Sequence, residues 1–178
     1  MNLANKLTVF RVFLVPIFII AFYSNFQNTN ILAAIIFLIA SLTDTLDGYI
    51  ARKYNLITNF GKFMDPLADK VLVITAMILL VEKNVFPGWI LAIVIAREFI
   101  VSGIRMMASL SNIAIAAGKT GKLKTATQMF AVILMLLDNF PFGINGFRLD
   151  LIFLYISTIL TVISGLEYII KNKEVLNN

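Results

Sequence analysis

The sequence contains neither cysteine nor histidine. These two absences exclude disulfide bonds, thiol nucleophiles, imidazole acid–base catalysis and the usual zinc ligands. Only 14% of the 178 residues are charged, whereas a soluble domain has about a quarter, and 60% are hydrophobic. A chain of this size has too much surface to hide so many apolar side chains from water. The composition therefore predicts an integral membrane protein, whose chemistry must depend on carboxylates, hydroxyls, amines and guanidinium groups.

Six apolar segments are candidates for membrane-spanning helices, each of which needs about 20 residues. The second, residues 31–43, is too short alone, so its helix must continue through Asp44 and Asp47 towards Arg52. Turn-rich residues separate the later segments. The predicted fold is all-α: one membrane domain over residues 1–178, with six transmembrane helices and a short amphipathic N-terminal segment. The segments cover about 7–22, 31–52, 63–81, 86–107, 123–137 and 151–170.

The basic residues predict the orientation of these helices, because lysine and arginine stay on the cytoplasmic side of a membrane. With six spans both termini share one side, and that side holds nine basic residues, against Lys83 and Arg148 on the other. Both termini and the loops 53–62 and 109–122 are therefore predicted to be cytoplasmic. The net charge of +5 reflects this topology and does not indicate nucleic-acid binding. The nine are Lys6, Arg52, Lys53, Lys62, Lys119, Lys122, Lys124, Lys171 and Lys173.

Four aspartates lie at the predicted cytoplasmic ends of the second and third spans. A charge within a span is costly unless it is paired, hydrated or metal-bound, which makes it a functional candidate. Helical spacing places Asp44 and Asp47 on one face of the second span, and Asp65 and Asp69 on one face of the third. Four close carboxylates repel one another, so they predict a site for one or two divalent ions such as Mg²⁺, Mn²⁺ or Ca²⁺. A single aspartate is more often a hydrated helix cap, but four on matched faces favour the metal site.

Small residues share these two faces. Gly48, Ala51 and Gly61 leave the helices nearly bare, so a bulky ligand can approach the backbone close to the metal ions. Arg52, at the margin of the face, can offer a fork of donors to a phosphate. Helix packing is the alternative role of Gly48 and Ala51.

These eight positions form a pattern that reads Asp44-x-x-Asp47-Gly48-x-x-Ala51-Arg52, eight residues, Gly61-x-x-x-Asp65-x-x-x-Asp69. The pattern resembles, without a mismatch, the signature of the CDP-alcohol phosphotransferases, which are integral membrane enzymes of phospholipid synthesis. Four further stretches are similar to the phosphatidylglycerophosphate synthase branch of that family, although they are less specific. They are Asn5 to Arg11, Arg97-Glu98, Ser102 to Arg105, and Gly121 to Gln128.

The resemblance implies a reaction in which the sn-1 hydroxyl of glycerol 3-phosphate attacks the lipid-side phosphorus of CDP-diacylglycerol, giving phosphatidylglycerophosphate and CMP. It implies two Mg²⁺ or Mn²⁺ ions held by the four aspartates, with Asp69 also accepting the hydroxyl proton. It further implies a homodimer in the lipid bilayer. The CDP-lipid contacts that it implies are Asn5, Thr8, Gly48, Ala51, Arg52 and Gly61.

The acceptor requires a second anion site, because a phosphomonoester carries about two negative charges near neutral pH. Basic residues around the inner end of the fourth span and the start of the fifth are the candidates. Positive-inside anchoring is the alternative role for each lysine. Arg97 and Glu98 are sequence neighbours that do not face each other on a helix, so each is expected to have its own partner. The candidates for the acceptor phosphate are Arg97, Arg105, Lys119, Lys122 and Lys124.

Two alternatives to this function remain open. The signature fixes only the CDP-lipid half of the reaction, so a sister enzyme could use inositol phosphate, serine or phosphatidylglycerol as the acceptor. A divalent-cation transporter lined by the aspartates would give no role to Arg52 or to the small residues beside them. Release of CMP with each acceptor in turn, compared with cation uptake into vesicles, separates the three.

Overall fold

The computed structural model describes residues 3–24, 29–53, 59–110, 115 and 118–173. Within these ranges, the side chains of 3–8, 44–53, 59–69, 109–110 and 144–145 lie outside the described part. The described part contains six α-helices and no β-strand, which confirms the predicted all-α class. A short 3₁₀-helix, Phe142–Asn145, precedes the last helix. The helices are α1 (Leu3–Tyr23), α2 (Thr29–Lys53), α3 (Asn59–Glu82), α4 (Gly88–Leu110), α5 (Lys119–Leu136) and α6 (Leu149–Lys171).

Each predicted apolar segment corresponds to one helix. α2 continues past its apolar residues through Asp44 and Asp47 to Lys53, as predicted. The predicted N-terminal segment is the first part of α1, which runs through Pro16 as one helix. α5 begins at Lys119, before the apolar pattern starts, and the N–H of Lys122 donates to the Gly118 carbonyl at 3.1 Å. Hydropathy does not predict this first turn because its residues are polar, although lysine is a good helix former.

One helix of the described part, α6, is both long enough and apolar enough to cross a membrane. The apolar stretches of the first two helices are shorter and cover Val9–Tyr23 and Thr29–Thr43. Length and composition thus support one span directly.

The first compact unit comprises Met1–Lys83 and Leu136–Asp138. In it, α1 packs against both α2 and α3, and α2 contacts α3. Phe18 and Phe37 are fully buried, with ring centroids 6.1 Å apart. This packing holds the helix that bears Asp44 and Asp47 next to the helix that bears Asp65 and Asp69.

Polar contacts join the ends of the helices in this unit. The Tyr23 hydroxyl at the end of α1 donates to Glu82 at the end of α3. Lys83 Nζ donates to Asn30 Oδ1 at 3.1 Å and lies 4.1 Å from the centroid of the Phe22 ring.

The second compact unit comprises Asn84–Met135 and Asn139–Asn178. In this unit α4 packs against α6. Its buried apolar side chains include Ile90 and Val94 of α4 and Leu154 of α6. The turn before α6 is fixed by Asn139, whose Oδ1 accepts the N–H of Asp150 at 3.2 Å. Arg148 donates two hydrogen bonds, of 3.0 and 2.8 Å, to the Asp150 carboxylate.

α6 buries its hydroxyl side chains and exposes its large apolar ones. Ser157, Thr158, Thr161 and Ser164 are buried, and each hydroxyl donates to a carbonyl of the preceding turn at 2.6 to 3.2 Å. A helix on the surface of a soluble protein shows the opposite arrangement. Small and hydroxyl residues inside, with apolar residues outside, are typical of helices packed in lipid. The exposed apolar residues are Ile152, Tyr155, Ile156, Ile159, Val162, Ile163, Leu166 and Ile170.

Candidate active site

All eight signature positions lie in helical conformation on two helices that contact each other. The helices on which the predicted faces depend are therefore confirmed. The side chains lie outside the described part, so the meeting of the four carboxylates remains a prediction. Asp44, Asp47, Gly48, Ala51 and Arg52 lie in the last turns of α2, and Gly61, Asp65 and Asp69 lie in the first turns of α3.

The two predicted CDP-lipid contacts near the N-terminus lie in the first turns of α1. The side chains of Asn5 and Thr8 are also outside the described part. One turn further along, Arg11 is almost fully buried and is engaged in an interaction within the protein. A buried guanidinium requires such a partner, because the charge is otherwise costly to desolvate.

The donor chemistry of the aspartates suits a hard divalent cation, which prefers carboxylate oxygens. Among the side chains that the structure describes, no three acidic residues come together in a way that could hold a metal ion. The metal hypothesis therefore depends on Asp44, Asp47, Asp65 and Asp69, whose helices the structure does place in contact.

An ion cluster in the second unit joins α4 to α5 through Glu98. A single carboxylate oxygen of Glu98, Oε1, lies 3.0 Å from Arg97 Nη1 and 2.6 Å from Lys124 Nζ. The exposed fractions are 3% for the Lys124 side chain and about 15% for the other two. Charges this deeply buried contribute to stability only when they are well paired. Glu98 thus compensates two cations at once.

The prediction that Arg97 and Glu98 have separate partners is wrong in one respect. Arg97 does reach Ser164 Oγ on α6, at 3.3 Å, and Glu98 does reach Lys124 on α5. The two neighbours nevertheless also bond to each other. Side chains at i and i+1 leave a helix about 100° apart, but the long arginine side chain bends back far enough to meet the carboxylate.

A second polar contact holds the start of α5 against α6. The Thr120 hydroxyl donates to Glu167 Oε2 at 2.8 Å. Glu167 lies three residues after Ser164, so α6 binds α4 and α5 within one helical turn. Sequence reasoning missed Ser164, Thr120 and Glu167. A charged residue near the end of an otherwise apolar span was the only available signal for Glu167.

Two glycines leave room for the Arg97 side chain. A Cβ added at Gly165 would lie 3.1 Å from Arg97 Cγ, whereas one at Gly121 would lie 3.5 Å from Arg97 Nη2. The first distance is tight, and the second is an ordinary van der Waals contact. Arg97 cannot yield easily, because Glu98 and Ser164 hold its two terminal nitrogens.

Gly165→Ala is therefore expected to destabilise the protein relative to Gly121→Ala. Both changes gain helix propensity of up to about 1 kcal/mol, but only the first displaces Arg97. We expect the Tm of Gly165→Ala to lie about 2–4 °C below that of Gly121→Ala for each kcal/mol of strain. Thermal unfolding in detergent measures both, and equal Tm values would contradict a tight fit around Arg97.

The five basic residues predicted for the acceptor phosphate fall into two sets. Arg97 and Lys124 are largely buried in the Glu98 cluster, whereas Arg105, Lys119 and Lys122 are exposed. Arg105 follows Glu98 by seven residues, or about 10 Å of helix, towards residues 111–118, which join α4 to α5. Lys119 and Lys122 precede Lys124 towards the same connection. Along their helices, the three exposed residues therefore lie nearer to residues 111–118 than the ion cluster does.

Residues 1–163 match the CDP-alcohol phosphatidyltransferase family. The chain belongs to this family, which is membrane-associated and acts in phospholipid biosynthesis.

The curated relatives include three bacterial proteins named CDP-diacylglycerol--glycerol-3-phosphate 3-phosphatidyltransferase. The Bacillus subtilis protein is 43% identical, with 98% of this chain and 97% of that protein covered. The Rickettsia felis protein is 42% identical, covering 94% of this chain and 93% of that protein. The Haemophilus influenzae protein is also 42% identical, covering 94% and 91%.

Proposed function

We propose that this protein transfers the phosphatidyl group of CDP-diacylglycerol to glycerol 3-phosphate, giving phosphatidylglycerophosphate and CMP. The observation that carries this proposal is the identity of 42–43% to enzymes named for that reaction, over nearly the whole of both chains. The signature on α2 and α3 supports the CDP-lipid half of the reaction independently.

The proposed setting is a single membrane domain whose six helices span the bilayer, with both termini and the active site on the cytoplasmic side. The apolar exterior and hydroxyl-lined interior of α6 support the membrane part. Exposed apolar side chains on α1 support it as well, among them Phe13 and Ile20. The excess of basic residues on one side supports the orientation. We also propose a homodimer, on the family resemblance.

In the proposed site, Asp44, Asp47, Asp65 and Asp69 hold Mg²⁺ or Mn²⁺, two ions per active site. Members of the family generally use a divalent metal, and four carboxylates on adjacent helices are suitable ligands. When bound, such ions neutralise the diphosphate and the departing CMP. Asp69 accepts the proton of the attacking hydroxyl, for which a carboxylate within hydrogen-bond reach is sufficient.

The remaining signature residues have binding roles in this proposal. Arg52 offers a forked set of donors to the diphosphate, while the small residues allow the nucleotide to approach the helix backbone. As the hydroxyl oxygen bonds to the lipid-side phosphorus, the bond from that phosphorus to the CMP oxygen breaks. The proposed CDP-lipid contacts are Asn5, Thr8, Gly48, Ala51, Arg52 and Gly61.

The acceptor phosphate is proposed to bind at the exposed cations Arg105, Lys119 and Lys122. Their exposure leaves their donors available to a soluble anion. Arg97 and Lys124 belong to the same site in this proposal, but they are held in the Glu98 cluster.

An acceptor series tests the proposed function. Purified protein in detergent receives CDP-diacylglycerol, Mg²⁺ and one acceptor at a time, and CMP release is followed. We expect CMP with glycerol 3-phosphate and none above background with serine, inositol phosphate or phosphatidylglycerol. CMP with one of those three alone would replace the proposal with a sister enzyme. No CMP with any acceptor, together with cation uptake into vesicles, would indicate a transporter.

A further inference from the structure

Glu98 has no part in the proposed reaction, although it joins Arg97 and Lys124 in the ion cluster of the second unit. Its Oε1 is shared between the guanidinium of Arg97 and the ammonium of Lys124. The three groups together carry one net positive charge. A carboxylate beside a site for an anionic substrate would weaken binding unless it served another purpose, because like charges repel.

The burial of the two cations indicates what that purpose is. Lys124 is 3% exposed and lies 2.6 Å from the carboxylate, so Glu98 compensates its charge and the protein shields it from a soluble phosphate. Arg97 already uses one terminal nitrogen for Glu98 and the other for Ser164. In this arrangement, an incoming phosphate contacts the exposed cations before it contacts Arg97 or Lys124.

The exposed cations sit on the two helices that Glu98 ties together. Lys122 lies two residues before Lys124 on α5, about 3 Å along the axis and on nearly the opposite side of the helix, which agrees with its exposure. Arg105 lies two turns after Glu98 on α4. The contact from Glu98 to Lys124 therefore links the middle of α4 to the second turn of α5, while the contact from Thr120 to Glu167 links the first turn of α5 to α6.

We propose that Glu98 is a positioning residue for the acceptor phosphate, an inference that rests on the proposed function. By holding Lys124 and Arg97, Glu98 arranges the exposed cations Arg105, Lys119 and Lys122 before the substrate arrives. Such preorganisation increases affinity, because the protein does not have to order these long side chains when the ligand binds.

A role of Glu98 as a competitor of the phosphate predicts the opposite change in KM. If Glu98 only competed with the phosphate for Lys124 and Arg97, its removal would free both cations and lower the KM for glycerol 3-phosphate. If Glu98 positions the site, its removal raises this KM. The sign of the change therefore decides between them.

The test is Glu98→Gln, which keeps the shape of the side chain and removes its charge. We expect the KM for glycerol 3-phosphate to rise about tenfold, the factor that corresponds to the loss of one hydrogen bond to a charged group. The KM for CDP-diacylglycerol and kcat should stay within about twofold of the wild type, since the signature lies on other helices. Glu82→Gln, the same change at a carboxylate that binds Tyr23, is the control and should leave all three constants unchanged.

Glu98→Asp covers the case in which the glutamine variant does not fold. The charge remains, but the carboxylate is one methylene further from Lys124, so positioning predicts a KM for glycerol 3-phosphate raised about threefold. A wild-type KM in Glu98→Asp, or an unchanged or lower KM in Glu98→Gln, would overturn the inference alone. A wild-type protein that releases no CMP with glycerol 3-phosphate would overturn the proposed function and, with it, this inference.

Discussion

Replacing Asp69 with asparagine is expected to abolish CMP release from CDP-diacylglycerol while binding of that lipid nucleotide remains largely intact. The amide has nearly the shape of the carboxylate, but it cannot take the proton of the attacking hydroxyl. Loss of a general base costs about 10²–10⁴-fold in rate. CMP release gives the rate, and equilibrium binding of CDP-diacylglycerol to the same preparation gives the affinity.

The control for this experiment lies on the same helix. Glu82→Gln is also a change of carboxylate to amide, about 20 Å along α3 from Asp69, and glutamine can still accept the hydrogen bond of Tyr23. We expect wild-type turnover in this variant. Wild-type turnover in Asp69→Asn would refute its role as the base, whereas loss of both turnover and nucleotide binding would indicate a purely metal-binding or structural role.

Lys124→Met is expected to destabilise the protein more than the same change at an exposed lysine of the same helix. The change leaves the Glu98 carboxylate buried with one cation instead of two. Glu98 loses a hydrogen bond to a charged group, which costs about 1.5–3 kcal/mol, while Arg97 still compensates its charge. Denaturant unfolding of the purified protein measures the loss.

A double variant tests whether Arg97 still compensates Glu98 when Lys124 is lost. Lys124→Met with Glu98→Gln leaves Arg97 largely buried without that carboxylate, so we expect it to be less stable than Lys124→Met. Lys119→Met is the matched control, because Lys119 is exposed on the same helix and such changes stay within about 0.5 kcal/mol. If Lys124→Met were as stable as Lys119→Met, the contact between Lys124 and Glu98 would contribute little to stability.

Hydropathy was sufficient to predict the six helices, because each contains a long apolar stretch that ends at turn-forming residues. The prediction that α2 extends through Asp44 was also correct, since this helix continues to Lys53. The polar start of α5 was missed because hydropathy detects only apolar residues. Its lysines and threonines form helix readily, but they do not contribute to an apolar pattern.

The partners of Glu98 could not be predicted, because contacts between helices are not encoded in the spacing along one helix. Lys124 looks like its neighbours Lys119 and Lys122 in the sequence, yet it alone of these three is buried. Which lysine turns inward depends on how α5 packs in the second unit. Charge patterns therefore located the basic cluster, and only the fold divided it into paired and exposed members.

The inward hydroxyls of α6 have a consequence for how the protein is made. Ser157, Thr158 and Thr161 each bond to a carbonyl of their own helix and so require nothing from a neighbour. This helix can therefore enter the bilayer during synthesis with these hydroxyls already satisfied. Its hydrogen bonds to α4 and α5, through Ser164 and Glu167, can form afterwards, when those two helices pack against it.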